Sequence, residues 1–173
     1  MAPQPLPFDP IARAEALWVQ RWGANSRHTT MAAATAIMRV QQVLLARFDA
    51  IAGGHDLTFA RYEALVLLAF SREGQLSMGR IGERLMVHPT SATNIVKRLA
   101  ASGFVERVPN PRDGRGTLAR ITESGRAAME AVTAELEAMD FGLAALSSDS
   151  VAGLSTLLRE VRLAANDFIE DPS

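Results

Sequence analysis

The chain contains no cysteine, which excludes disulfide bonds, thiolate metal sites and oxidant sensing through a thiol. Histidine is scarce, and His28, His55 and His88 stand far apart in the sequence. No Ser/His/Asp arrangement, no metal-ligand spacing and no Gly-rich phosphate loop after a strand is present. The sequence therefore predicts a protein that is not an enzyme and that holds no metal or cofactor.

Long hydrophobic runs are also missing. No apolar stretch approaches the ~20 residues that cross a bilayer. The N-terminus has no basic region followed by a hydrophobic stretch, as a signal peptide would. We therefore expect a cytoplasmic protein without membrane contact. With 173 residues, 48% of them hydrophobic, the chain is long enough for one domain or for two small lobes that share a core.

The net charge of −1 hides a strong asymmetry along the chain. Residues 80–126 hold nine Arg and Lys against four Asp and Glu, residues 127–173 hold two against nine, and residues 1–79 sum to +1. Attraction to phosphate depends on the local field rather than on the total charge, so the basic middle segment favours a nucleic-acid partner. The alternative is a helix face that is merely solvated.

The first part of the sequence predicts three helices. Asp9 and Pro10 are a cap and first-turn pair, and they open a helix that stops at Gly23. A second helix covers roughly residues 30–52. Thr58 caps a third, which is apolar nearly all round and is therefore expected to be central.

Two amphipathic helices are predicted at the C-terminal end, one after Thr122 and one from Ser148 or Asp149. Together with the N-terminal helices, they carry more apolar surface than a small lobe can cover, which predicts a homodimer. The alternative is a monomer whose terminal helices fold back on its own core.

The middle of the chain predicts a helix-turn-helix followed by a hairpin. Ser77 can cap a helix that ends at Leu85, and Pro89 begins another that runs to about Ala101. Residues 104–108 and 117–121 are β-formers on either side of a Pro/Gly/Asn loop. A helix beside a cationic hairpin has the shape needed to occupy a major groove and the adjoining minor groove of duplex DNA.

These elements predict a mainly α (α+β) fold, in which a winged helix-turn-helix lobe is flanked by N- and C-terminal helices that form a dimerisation region. The expected divisions are an arm with dimerisation helices at residues 1–56, a winged DNA-binding domain at residues 57–123 and C-terminal dimerisation helices at residues 124–173.

One face of the predicted recognition helix is apolar and the other is polar. Ala92, Val96 and Leu99 are expected to pack inward, since they share a face. Hydroxyls and an amide suit base edges, while the cations suit phosphates. The candidate contacts on the outer face are Thr90, Ser91, Thr93, Asn94, Lys97 and Arg98, and the helix-turn-helix adds Ser77 and His88.

The hairpin tip adds a second candidate contact. Asp113 can hold the guanidinium of Arg115 in one orientation while Arg112 and Arg115 project from the loop. A narrow minor groove attracts an arginine presented in this way. As an alternative, Asp113 forms a turn with the backbone amide of Arg115.

The stretch from Leu57 to Gly125 contains the pair Asp113-x-Arg115 and the run Leu118-x-x-Ile121-Thr122-x-x-Gly125. With these motifs, the stretch resembles the MarR family of bacterial transcription regulators. The resemblance implies a dimer that binds double-stranded DNA at a pseudo-palindromic operator. It places Thr90, Ser91, Thr93 and Asn94 in the major groove, and Asp113 and Arg115 at the wing tip. His88 departs from the small hydroxyl residue that commonly precedes the proline, although it is a plausible phosphate donor.

The resemblance also implies an effector, because regulators of this family commonly release DNA when a small phenolic or anionic aromatic molecule binds. The extra N-terminal helix is similar to that of the urate-responsive branch, in which a Trp, an acid and an Arg act together. The Arg position is Ile95 here, so we expect a ligand other than urate. The candidate ligand residues are Trp18, Trp22, Arg27, His28 and Glu63, with Arg61 as another nearby cation; alternatively, the two Trp belong to a dimer core.

The sequence therefore predicts a homodimeric, sequence-specific DNA-binding regulator, a repressor that a small aromatic or anionic ligand releases. Two other hypotheses stay open at this point. A winged helix that docks another protein would present an apolar recognition face, and a metal-responsive regulator would need distant His and acidic residues to converge.

Overall fold

A computed structural model describes residues 5–111 and 116–170 of the chain. This part is mostly helical, with seven α-helices and one small antiparallel sheet. The chain divides into two compact units, Met1–Asp49 and Ala50–Ser173. The division falls inside the second helix.

The first unit holds α1 (Pro10–Trp22) and most of α2 (His28–Gly53). The predicted cap is confirmed, because the Asp9 carboxylate accepts from the N–H groups of Ile11 and Ala12. Near the start of α2, Glu15 Oε1 lies 2.8 Å from His28 Nδ1 and accepts from the Thr29 hydroxyl. These contacts tie α1 to α2, which begins two residues before the position that the sequence predicts.

The second unit contains the winged lobe and the C-terminal helices. The predicted caps are present here too: Thr58 accepts from the Arg61 N–H, and Ser77 accepts from the Arg80 N–H. Its elements are α3 (Phe59–Ala69), β1 (Gln75–Ser77), α4 (Met78–Leu85), α5 (Pro89–Ala101), β2 (Val105–Pro109), β3 (Thr117–Ile121), α6 (Glu123–Ala138), a 3-10 turn (Asp140–Gly142) and α7 (Ser148–Ala164).

The sheet has one strand more than the sequence predicts. β2 and β3 form the expected hairpin, and β1 pairs with the far edge of β3, which gives the order β1-β3-β2. Leu76 is the buried residue of β1 and lies opposite Ala119. A three-residue strand has no periodicity of its own, so only its pairing with β3 defines it.

Helix α3 lies at the centre of the second unit, as its apolar composition predicts. Tyr62, Ala64, Leu65 and Leu68 are buried on it, and the helix contacts α4, α5, α6, β1 and β3. Fully buried Ile81, Leu99 and Leu136 come from three of the surrounding helices. The core therefore joins the helix-turn-helix to α6.

None of the helices in the described residues is long and apolar enough to cross a membrane.

Candidate nucleic-acid interface

The start of α5 is built by a histidine cap. His88 Nδ1 accepts from the backbone N–H of Thr90 at 3.3 Å and lies 3.1 Å from the Thr90 hydroxyl. An accepting Nδ1 carries no proton, so the neutral ring holds its proton on Nε2. His88 therefore caps α5, as a small hydroxyl residue would at this position, and its second ring nitrogen is still able to donate a hydrogen bond.

The inner face of α5 packs closely on α4. Ala92, Val96 and Leu99 are buried, as the spacing predicts. A Cβ atom added to Gly82 would lie 3.5 Å from the Ala92 Cβ, so two small residues meet where the helices approach each other. This close contact fixes the angle at which α5 leaves the helix-turn-helix.

The outer face of α5 is polar and solvent-exposed along its length. Thr93 uses its hydroxyl within the helix, where it donates to the Pro89 carbonyl at 2.9 Å, so its methyl group is the part left for an external contact. Lys97 and Arg98 follow on the next turn. All six of the predicted contact residues are exposed: Thr90, Ser91, Thr93, Asn94, Lys97 and Arg98.

Ser77 stands at the beginning of α4, where its hydroxyl oxygen accepts from the Arg80 N–H at 3.4 Å. The side chain therefore has a structural role as a cap. The cap also fixes the orientation of the first N–H groups of α4. A helix N-terminus of this kind favours a bound anion.

The wing is formed by β2 and β3. Glu106 and Arg120 are opposite each other in the register, and their side chains form an ion pair of 2.6 Å. The Asn110 N–H donates to the Gly116 carbonyl at 3.0 Å and brings the two sides of the loop together. The predicted tip residues Arg112, Asp113 and Arg115 lie outside the described residues.

Four of the candidate ligand residues belong to the first unit. The ring centroids of Trp18 and Trp22 are 4.3 Å apart, and Trp22 is 58% exposed. Arg27 is exposed, whereas His28 is held by Glu15. The Trp pair therefore presents an aromatic surface, while His28 is already used to join two helices.

The other candidates are in the second unit. Partial burial on α3 raises the pKa of the Glu63 carboxyl above its usual value. Arg61 donates to the Asp56 carbonyl and to the Thr58 hydroxyl, and it lines an open groove of about 570 Å³ with Leu57, Ser102 and Phe104. In the described residues, no three His, Cys, Asp or Glu side chains are grouped as a metal site would require.

The sequence does not predict two histidine–carboxylate contacts that the structure contains. His28 and Glu15 are separated by 13 positions, and His55 and Glu135 by 80, yet each pair makes a short hydrogen bond. Nothing in the local sequence marks these partners, because each contact depends on how distant segments of the chain pack.

The same fold occurs in solved structures. Sco5413, described as a MarR family transcriptional regulator from Streptomyces coelicolor, is 56% identical, with a TM-score of 0.76 over 82% of this chain and 99% of its own. The family model described as "MarR family" matches residues 55–116. The chain belongs to the MarR family. Family members such as Sco5413 are transcription regulators rather than enzymes.

Other relatives match parts of the chain. The multiple antibiotic resistance protein MarR of Escherichia coli is 32% identical over 109 residues, which are 61% of this chain and 74% of that protein. The structure of a mutant of that protein in complex with operator DNA is 26% identical to this chain in sequence. Its TM-score is 0.67, and the match covers 84% of this chain and 97% of that one. An HTH-type regulator of Mycobacterium bovis is 36% identical over 90 residues, or 52% of this chain; the chain spans only 59% of that relative.

Proposed function

We propose that the protein is a homodimeric transcription regulator that binds a specific DNA sequence and acts as a repressor. The observation that carries the proposal is the polar face of α5, which is fully exposed while the opposite face is buried against α4 and α3. The operator complex of the related Escherichia coli protein supports the same use of the fold. An apolar face, which a protein-docking helix would need, is not what α5 presents.

Each part of this surface has a proposed role. Ser91 and Asn94 contact base edges, because a hydroxyl and an amide can both donate and accept there. The exposed methyl group of Thr93 contacts a thymine methyl. Thr90 also contacts a base edge through its hydroxyl. The phosphate contacts are His88 through Nε2–H, Lys97, Arg98 and the Ser77 end of α4. Arg112 and Arg115 enter the minor groove, and Asp113 holds the Arg115 guanidinium in position.

The proposed dimer follows from two helices that have no buried face within the single chain. Neither α1 nor α7 contains a buried residue, although both are amphipathic. On α7, Leu157 is 62% exposed and Val161 is 59% exposed, one turn apart on the same face. Apolar surface of this kind is usually buried against a second copy of the chain.

The DNA-binding proposal can be tested by selecting genomic fragments with the purified protein and measuring its affinity for a recovered duplex. Asn94→Ala should reduce discrimination between that duplex and variants altered at one base pair by roughly 1–3 kcal/mol. Lys97→Ala should weaken binding to all duplexes alike and lower the salt dependence by about one phosphate contact. Equal losses on all sequences for Asn94→Ala would contradict its role as a base-reading residue.

We also propose that a small aromatic acid releases the DNA and that the Trp pair contributes to its site. Because Trp18 and Trp22 are the only tryptophans, tryptophan fluorescence reports on α1 alone. A panel of benzoic and phenolic acids should include one that changes this fluorescence and lowers the affinity for the selected duplex about tenfold or more, the usual scale of allosteric coupling. Trp22→Phe should reduce the effect, and urate should have none. If the ligand released DNA from Trp22→Phe as effectively as from the unchanged protein, the ligand site would not include the Trp pair.

A further inference from the structure

The turn that follows α5 is joined directly to the beginning of α6. The carbonyl of Gly103 accepts from the Thr122 hydroxyl at 2.8 Å and from the Ser124 hydroxyl at 3.0 Å. The N–H of Thr122 donates to the carbonyl of Phe104 at 3.1 Å. Three hydrogen bonds therefore hold the end of α5 against the N-terminus of α6, across about 20 residues of sequence that include the whole wing. We call this contact the α5–α6 junction.

Gly125 allows the junction to close. A Cβ atom at this position would lie 2.1 Å from the Phe104 carbonyl oxygen and 2.9 Å from its carbonyl carbon. Both are backbone atoms, which cannot rotate away as a side chain can. Since ordinary contact begins at 3.4 Å, any other residue would push α6 and the end of α5 apart by about 1.3 Å.

Two more contacts fasten α6 to the winged lobe farther along its length. Tyr62 Oη, on buried α3, lies 2.9 Å from Thr133 Oγ1. His55 Nε2, in the turn before α3, lies 2.7 Å from Glu135 Oε1. Because α6 is held at its start and again near its C-terminal end, where Thr133 and Glu135 lie, it cannot slide past the winged lobe without breaking these contacts.

We propose that α6 carries the winged lobe as one rigid piece, and that the α5–α6 junction sets the distance between the two recognition helices of the dimer. Thr122, Ser124 and Gly125 are then positioning residues for DNA binding, although none of them lies on the exposed face of α5. The inference rests on the proposed function, in which two copies bind two half-sites about one helical turn apart.

The size of the expected displacement supports this role. Successive base pairs are about 3.4 Å apart along the duplex, so a change of one base pair in half-site spacing corresponds to about 1.7 Å at each recognition helix. The 1.3 Å that a Cβ at Gly125 would require is of the same order. A small change at the junction is therefore large enough to disturb the fit to two half-sites while each half-site is still bound normally.

The test compares Gly125→Ala with the unchanged protein on three kinds of duplex: the selected operator, the same operator with one base pair added or removed at its centre, and a single half-site. We expect affinity for the selected operator to fall about tenfold, because two sites that no longer match the spacing lose their mutual benefit. Affinity for the single half-site should stay within about twofold, and the penalty for altering the spacing should change.

Thr122→Val combined with Ser124→Ala provides a second variant if Gly125→Ala does not fold. It removes both hydroxyl bonds to Gly103 without adding an overlapping atom. Because Thr122 also caps α6, the matched control is Ser147→Ala, which removes the N-cap of α7 but leaves the junction intact. The double variant should show the same pattern as Gly125→Ala, and the control should leave the spacing preference unchanged.

The outcomes separate the two levels of the proposal. Equal losses on the half-site and on the full operator would overturn the inference, because they would show that the junction only stabilises the winged lobe. An unchanged affinity and spacing preference in a folded junction variant would overturn it as well. Failure of the unchanged protein to retain any duplex would instead refute the proposed function.

Discussion

Replacing Leu157 and Val161 together by glutamate is expected to convert the protein to monomers and to weaken operator binding by at least about a hundredfold. Both side chains are more than half exposed on α7, so the new carboxylates are solvated in a monomer and the fold tolerates them. In the proposed dimer the same carboxylates would be buried without partners, which is strongly unfavourable. Loss of the second subunit then removes the benefit of binding two half-sites on one duplex.

The measurement is molar mass by light scattering, together with affinity for the full operator and for a single half-site. The half-site affinity of the variant should match that of the unchanged protein. Ser155→Glu is the control, because Ser155 is exposed on another side of the same helix. A monomeric variant that still bound the full operator with undiminished affinity would show that the two α5 helices do not act together. A variant that stayed dimeric would place the interface elsewhere.

The local features of the fold are the ones that the sequence predicts well. Asp9, Thr58 and Ser77 each accept from an N–H two or three positions ahead, so their effect lies within a short stretch of chain. The alternation of buried and exposed residues on α5 follows from helical periodicity alone. This periodicity assigns Ala92, Val96 and Leu99 to the core, and the opposite side of the helix is then the face that can contact DNA.

Contacts between distant residues could not be predicted in this way. Strand β1 is defined by its pairing with β3, more than 40 positions later, and its Gln and Ser residues are weak β-formers. Only the resemblance to the MarR family marks Gly125 in the sequence, since its neighbour, the Phe104 carbonyl, lies 21 positions earlier. A glycine is needed there because the start of α6 packs directly against the end of α5.

The same distinction separates the two kinds of candidate site. Seven of the candidate DNA contacts lie on α5 and its cap, so the helical repeat is enough to group them. The candidate ligand residues come from both units of the chain, and their grouping rests on the resemblance. The effector is therefore best sought through the Trp pair, whose two rings are in contact.

Ile81→Ala should lower the free energy of unfolding by about 2–5 kcal/mol, the range for truncating a large aliphatic side chain in a core. Ile81 is fully buried on α4, which packs against both α3 and α5. Removing three carbon atoms leaves a cavity between the helices that fix the position of the recognition helix. The loss is a substantial part of the ~5–15 kcal/mol that stabilises a typical domain.

The chain supplies a matched control for this change. Ile169→Ala makes the same chemical substitution at a side chain that is 93% exposed, and it should alter stability by less than about 0.5 kcal/mol. Urea unfolding of both variants should be followed at one fixed protomer concentration, because the stability of a dimer depends on concentration. At a temperature where Ile81→Ala remains folded, its operator affinity should stay close to that of the unchanged protein, since no group on the outer face of α5 has been altered. Similar destabilisation by both substitutions would contradict the assignment of Ile81 to the core of the helix-turn-helix.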